Sequence, residues 1–194
     1  MQNHLSTFLA YTLILIVFSF AHNESKAAEP KQTVPLWKAL KSGTAFALIR
    51  HALAPGIGDP ENFVLGKCHT QRNLSFKGRQ QAARIGKRFR AHGIRQARVF
   101  TSEWCRCRET AELLMIGKVE PLQEINSFFE TPDKAVSQTY TFKLWLNAYR
   151  GSRPLVLVTH QVNITALTGI FPRSGEVVVV QRQSDGGFYV MGSL

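Results

Sequence analysis

Residues 45–51 read AFALIRH, and the fold follows from how that stretch begins and ends. The short apolar run is bounded by Gly43 upstream and by Pro55, Gly56 and Gly58 downstream. It therefore reads as a buried strand that empties into a loop. Arg50 and His51 sit where the strand ends. In open α/β sheets, ligands bind in the crevice beyond the carboxyl ends of the parallel strands. A permanent cation beside a titratable imidazole at that place suits chemistry on an anion, although a lone Arg-His pair at a strand end is more often an ordinary surface pair.

Two further stretches have the same build: VFTSEWCRCRETA at 99–111 and LVLVTHQVNI at 155–164. Each is a short β-branched run that ends in a polar residue and then turns into a helical pattern. Three strand ends thus bring Arg50, His51, Arg106 and His160 to one rim. The expected fold is α/β, a three-layer sandwich with a mostly parallel central sheet in which these three strands are adjacent.

These motifs, in this order, resemble the histidine phosphatase superfamily, which includes phosphoglycerate mutases and many acid phosphatases. That family opens on strand-Arg-His-Gly, matched here by Leu48 to His51 with Ala52 in the Gly place. Its Ser-x-x-x-Arg motif followed by Thr-Ala is matched by Ser102, Arg106, Thr110 and Ala111. Its third motif, an apolar strand ending in His, is matched by Val156 to His160, with Gln161 where Gly is usual. A fourth, Leu-Ser-x-x-Gly-x-x-Gln-Ala, runs from Leu74 to Ala82. The resemblance spans 44–168, so 44–194 reads as a phosphoglycerate mutase-like catalytic domain.

Phosphoryl transfer requires a pocket that neutralises spread-out negative charge and holds it in line with the attacking atom. Arginine does this best, because its planar fork offers paired donors and stays protonated. Arg50 and Arg106 are the expected clamps, His160 adds a donor, and Arg72 is either a further clamp or a solvated loop cation. His51 is the expected nucleophile, since neighbouring guanidinium groups disfavour its protonated form. The resemblance implies a covalent phosphohistidine, which splits one displacement into two easier ones. That chemistry calls for no metal or cofactor. The leaving alkoxide needs a proton. The family's donor commonly lies on a Leu-x-Glu stretch, matched by Leu122-Gln123-Glu124, with Glu130 and Asp133 as rivals.

Upstream of the domain, residues 8–21 (FLAYTLILIVFSFA) are too short for a comfortable membrane span but suit the apolar core of a signal peptide. Residues 1–27 are therefore expected to be a signal peptide or an uncleaved N-terminal membrane anchor, and 28–43 a linker and short helix opened by Pro35. Either reading places the domain in the periplasm or another exported compartment. The loop 52–73 is long and aperiodic, and is expected to wall the substrate pocket. A capped helix runs from Ser75 to a stop at Gly93. A helix over 104–116 is expected to bury Trp104, Cys107, Ala111, Leu114 and Met115. Further elements are a strand within 118–123, a helix over 135–150, and a terminal hairpin joined through Asp185-Gly186-Gly187.

The formal net charge is +11, and residues 67–108 hold most of the excess, with Glu103 their one acid. A solvated helix face is the plain explanation. An anionic substrate or an anionic membrane surface is the sharper one. Nucleic acid is not expected as a partner, because no recognition motif is present. The expected partner is a phosphorylated small molecule or an envelope glycolipid, bound by a monomer. Small size and an N-terminal signal or anchor also resemble exported phosphatases acting on the heptose of the lipopolysaccharide core. A non-catalytic phosphate- or envelope-binding module and a phosphomutase are the alternatives on this fold.

Cysteines number three: Cys68, Cys105 and Cys107. In an oxidising compartment one disulfide is expected. Cys105 and Cys107 point to nearly opposite sides of a helix, and Cys107 belongs to the core face, so Cys68 is expected to pair with Cys105, with Cys107 as the alternative. The same geometry disfavours a zinc site from Cys68, His69, Cys105 and Cys107.

Overall fold

A computed structural model describes residues 33–194. The signal or anchor reading of 1–27, and nearly all of the linker, lie outside the described residues. The elements in chain order are α1 (Val34–Ser42), β1 (Ala45–Arg50), α2 (Phe76–Ala91), β2 (Arg98–Thr101), α3 (Cys105–Leu114), β3 (Val119–Pro121), α4 (Ala135–Ala148), β4 (Leu155–Thr159), α5 (Gln161–Thr168), β5 (Val177–Arg182) and β6 (Phe188–Ser193). The strands form one sheet in the order β3-β2-β4-β1-β5-β6. β1, β2, β3 and β4 are mutually parallel, and β5 runs antiparallel to both β1 and β6. The three strands that carry the motifs, β2, β4 and β1, are neighbours, and they end on the same edge.

The strand period of two divides the core into two layers. Ala45, Ala47 and Ile49 of β1 join Val156, Val158, Val177 and Val179 against α1, α2 and α3. Phe46 and Leu48 face the other way, with Leu155, Leu157, Val178 and Val180, and meet Phe142 and Leu146 of α4 and Ile164 of α5. β1 and β4 are buried on both faces, which is why they read as continuous apolar runs rather than alternating ones.

Helix α2 is positioned by backbone contacts that only glycine permits. A Cβ at Gly78 would meet the Leu53 carbonyl oxygen at 2.1 Å, and one at Gly86 would meet that of Leu114 at 2.0 Å. The helix begins as its sequence dictates, with Ser75 Oγ accepting from the Gly78 N–H at 3.0 Å. The apolar positions Ala82, Ile85, Gly86 and Phe89 are all buried.

The α3 expectation needs correcting at both ends. Trp104 is the N-cap rather than a helical residue. Met115 is 73% exposed, and the buried place falls to Ile116. The cause is local: Met115 takes a left-handed cap conformation (φ 52°), and its N–H bonds Glu112 O, which turns its side chain away from the core.

Cys68 and Cys105 are joined by a disulfide, and Cys107 is a buried free thiol. Among the described residues, no helix is long and apolar enough to cross a membrane, and no group of three or more His, Cys, Asp or Glu is placed to hold a metal ion.

Candidate active site

Arg50 and His51 close β1, Ser102 follows β2, Arg106 lies in the first turn of α3 and His160 caps α5. Arg50, His51, Arg72, Arg106 and His160 all line one cavity of about 900 Å³ at the carboxyl edge of the parallel strands.

His51 is 2% exposed. Its backbone N–H bonds Thr159 O at 2.9 Å, and its Nδ1 lies 2.8 Å from the carbonyl oxygen of Ala52. A carbonyl can only accept, so Nδ1 carries the proton and Nε2 is left bare. Burial lowers the imidazole to about 3, with the charges of Arg106, Arg72 and Arg50 adding to it against the opposing Ala52 bond. At neutral pH the ring is uncharged and holds a lone pair.

His160 is fixed from behind. Its Nε2 lies 2.8 Å from Ser102 Oγ and 3.4 Å from Cys107 Sγ, and Ser102 Oγ is tied to Asn126 Oδ1 at 3.2 Å. Its ring centroid is 5.6 Å from that of His51. Burial first, then the Arg106 charge, holds its imidazole well below the ordinary value. Burial of the Cys107 thiol pushes it up to about 12, so this sulfur is an inert protonated neighbour.

Three guanidinium groups share the cavity. Arg106 is 3% exposed, and its Nη1 donates to Asp59 Oδ1 at 2.7 Å. Arg50 Nη1 donates to Pro172 O at 2.9 Å, and Arg72 Nε donates to Gly58 O at 2.7 Å. Arg50 Nε and Arg106 Nε are buried without a protein acceptor. Burial, followed by the Arg106 charge, lowers both Arg50 and Arg72 from their ordinary values. Mutually repelling cations with buried donors left over suit a tetrahedral oxyanion.

The motif residues that surround this site have identifiable work. Thr110 Oγ1 donates to Arg106 O at 2.6 Å and accepts from the Ala52 N–H at 3.0 Å, which locks α3 to the His51 loop. Gln81 spans two loops: Oε1 accepts from the Leu53 N–H and Nε2 donates to Ser174 O. Gln161, in the usual Gly place, lines the cavity and donates to Thr165 Oγ1.

The structure does not bring Glu124 to the cavity. It sits on a 3-10 turn, Gln123–Ile125, whose Leu122 and Ile125 neighbours are anchored in the core, so the turn holds Glu124 away from the rim. Asp133 does not line the cavity either, whereas Glu130 does.

Asp59 is the residue that sequence reasoning missed. Besides Arg106, it accepts from the Arg72 backbone N–H at 3.0 Å and from Trp104 Nε1 at 3.0 Å. Burial alone would raise its carboxyl, but the bond and charge of Arg106 outweigh that and hold it below the usual carboxylate value. The one available signal was an acid, Gly58-Asp59-Pro60, in a loop facing a cation cluster.

Paired histidines and clustered arginines at the ends of adjacent parallel strands suit phosphoryl transfer. The model of the histidine phosphatase superfamily (branch 1) matches residues 46–132, which contain Arg50, His51 and Arg106. Over that stretch the chain is similar to the histidine phosphatase superfamily. No curated protein matches it. Among solved structures, the putative phosphohistidine phosphatase SixA from Agrobacterium tumefaciens is similar at 17% identity and a TM-score of 0.54, over 78% of this chain and 97% of that one. A mycobacterial glucosyl-3-phosphoglycerate phosphatase is similar at 15% identity and a TM-score of 0.52, over 76% and 96%. The phosphoserine phosphatase from Entamoeba histolytica, in complex with 3-phosphoglyceric acid, is similar at 14% and 0.51, over 77% and 95%. These likenesses are of fold.

Proposed function

We propose that the protein is a phosphatase that hydrolyses a phosphomonoester through a phosphohistidine on His51. The observation that carries this reading is the pairing of a neutral imidazole, its Nδ1 committed to Ala52 O, with Arg50, Arg72 and Arg106 in one cavity. The arginines hold the phosphoryl oxygens, and His51 Nε2 attacks phosphorus. The P–N bond forms as the ester P–O bond breaks, and the alkoxide takes a proton from Glu130 on the rim. Water then attacks the phosphohistidine and gives its proton back to Glu130, which releases inorganic phosphate and the free imidazole. His160, held by Ser102, supports the phosphoryl oxygens in both steps.

The substrate in this reading is a small or envelope-linked phosphomonoester, and the setting is an exported, oxidising compartment. The disulfide between Cys68 and Cys105 supports that setting, because such bonds persist where thiols are not kept reduced. Purified protein, incubated with a panel of phosphomonoesters and quenched in alkali, is expected to release phosphate and to carry base-stable, acid-labile phosphate that is lost in His51→Ala. Phosphate binding without turnover across the panel overturns the phosphatase and leaves a binding module.

A further inference from the structure

Beyond the phosphate clamp, the cavity has a second part whose chemistry is different. Its inner wall is aromatic. Trp104 and Phe63 stack with ring centroids 5.3 Å apart and an interplanar angle of 19°. The Trp104 indole is pinned through Nε1 to Asp59, and it meets His160 edge-on at 5.4 Å. A flat apolar surface therefore stands directly beside the reacting centre.

The mouth is apolar as well. Ile57, Phe129 and Phe171 all line the cavity, and they are 89%, 48% and 72% exposed. They come from three separate segments. The segment bearing Phe171 is held to the end of β1, since Pro172 O accepts from Arg50 and the Gly175 N–H bonds Arg50 O at 3.1 Å. Exposed side chains of this size gathered at one opening are uncommon on a soluble surface and mark a place where an apolar partner is bound.

Charge at the mouth points the same way. Despite the net charge of +11, the cavity residues outside the clamp include Lys134 as their one cation, against Glu61 and Glu130. With Glu130 protonated as the reaction requires, Lys134 and Glu61 balance, so a second anionic group, such as a carboxylate beside the phosphate, finds no net positive charge there to hold it.

We infer that the alcohol portion of the substrate is an uncharged body with a flat or branched apolar face, seated between the Trp104-Phe63 wall and the collar of Ile57, Phe129 and Phe171. This deepens the phosphatase reading and rests on the same cavity. Binding, rather than turnover, separates the two. Calorimetry with 2-phenylethylphosphonate and ethylphosphonate, which share a head group and cannot be hydrolysed, reads the subsite alone. Burial of most of a phenyl ring predicts roughly tenfold or greater preference for the phenylethyl compound. That preference is expected to shrink in Phe171→Ala and in Phe129→Ala, and to persist in Tyr140→Ala, an exposed aromatic outside the cavity. Equal affinity for the two phosphonates, or tighter binding of O-phosphoserine than of 2-phenylethyl phosphate, overturns the inference whether or not the esters are hydrolysed. Tight, selective phosphonate binding without hydrolysis of 2-phenylethyl phosphate upholds the subsite and counts against the phosphatase alone.

Discussion

Asp59 Oδ1 accepts from Arg106 Nη1 at 2.7 Å, and this pair joins the long loop to the first turn of the helix that carries the second motif. The carboxylate does more than neutralise one guanidinium. Its other bonds, to the Arg72 backbone and to Trp104 Nε1, place a second clamp residue and the aromatic wall in one register. A charge-assisted bond between two largely buried side chains is strong and directional.

Asp59→Asn is isosteric, yet it removes the charge that steers Arg106. The clamp becomes more cationic and less well aimed, so phosphate should bind as tightly or more tightly while the oxygens are held out of line. The expected result is a fall in kcat of roughly ten- to a hundredfold with KM unchanged or lower. Steady-state kinetics with a single phosphomonoester reads both. A rise in KM at constant kcat means that Asp59 serves only to hold the loop closed.

The elements that were legible in the sequence are those whose signals are local. β1 and β4 declared themselves as unbroken apolar runs because both faces are covered. Ser75 declared itself because a helix start calls for a capping oxygen, whereas Gly78 and Gln81 stood out only as positions of the motif from Leu74 to Ala82, and the close approach and loop bridging they serve emerged with the structure. Asp59 did not, since an aperiodic loop gives no period from which to infer where its side chains point. Glu124 misled for a related reason. Its motif spacing fits, but the fate of that side chain depends on how the 3-10 turn seats Leu122 and Ile125, a tertiary matter. Met115 fits the helical period and fails only because the helix stops one residue earlier.

Gly78→Ala tests how the loop after His51 is held. The added methyl would fall 2.1 Å from the Leu53 carbonyl, a backbone atom that already accepts from Ser75 N and Ser75 Oγ. Relief requires α2 to move away from the His51 loop, at a cost of roughly 1–3 kcal/mol or more. Denaturant titration should show that loss, and activity should fall with it because Leu53 lies two residues from the nucleophile. An unchanged midpoint means that α2 is free to shift without strain.

Acid should destabilise the protein through its buried imidazoles. In the unfolded chain His51 takes up a proton near its ordinary value of 6.5, whereas in the fold it resists to about 3. Between those limits the unfolded state binds more protons, so stability is greatest above pH 6.5 and is lost progressively as pH falls. His160, also depressed, acts in the same direction. Urea midpoints measured at pH 7, 5.5 and 4 should fall steadily, and His51→Gln should fall less steeply. Parallel slopes for the two proteins show that the imidazole of His51 titrates normally in the fold.

Reduction of the disulfide should act on the pocket as well as on the fold. Cys68 and Cys105 are 37 residues apart in sequence, and closing a loop of that length is worth about 4 kcal/mol on the chain-entropy model. For a domain of this size that corresponds to a drop of about 10 °C in Tm when the bond is reduced. The position of the bond gives the functional consequence. Cys105 sits between Trp104 and Arg106, and Cys68 begins the turn that leads to Arg72, so the bond fixes the spacing between the pocket wall and two clamp residues. KM should therefore rise on reduction at a temperature where the fold survives. Cys107, fully buried and with its thiol pushed up to about 12, should resist alkylation until unfolding. Peptide mapping of protein isolated without reductant, calorimetry with and without reductant, and kinetics of Cys68→Ser beside the oxidised protein examine each step. Three free thiols in that map, or a reduced protein with unaltered Tm and KM, would remove the bond from the account of both stability and site geometry.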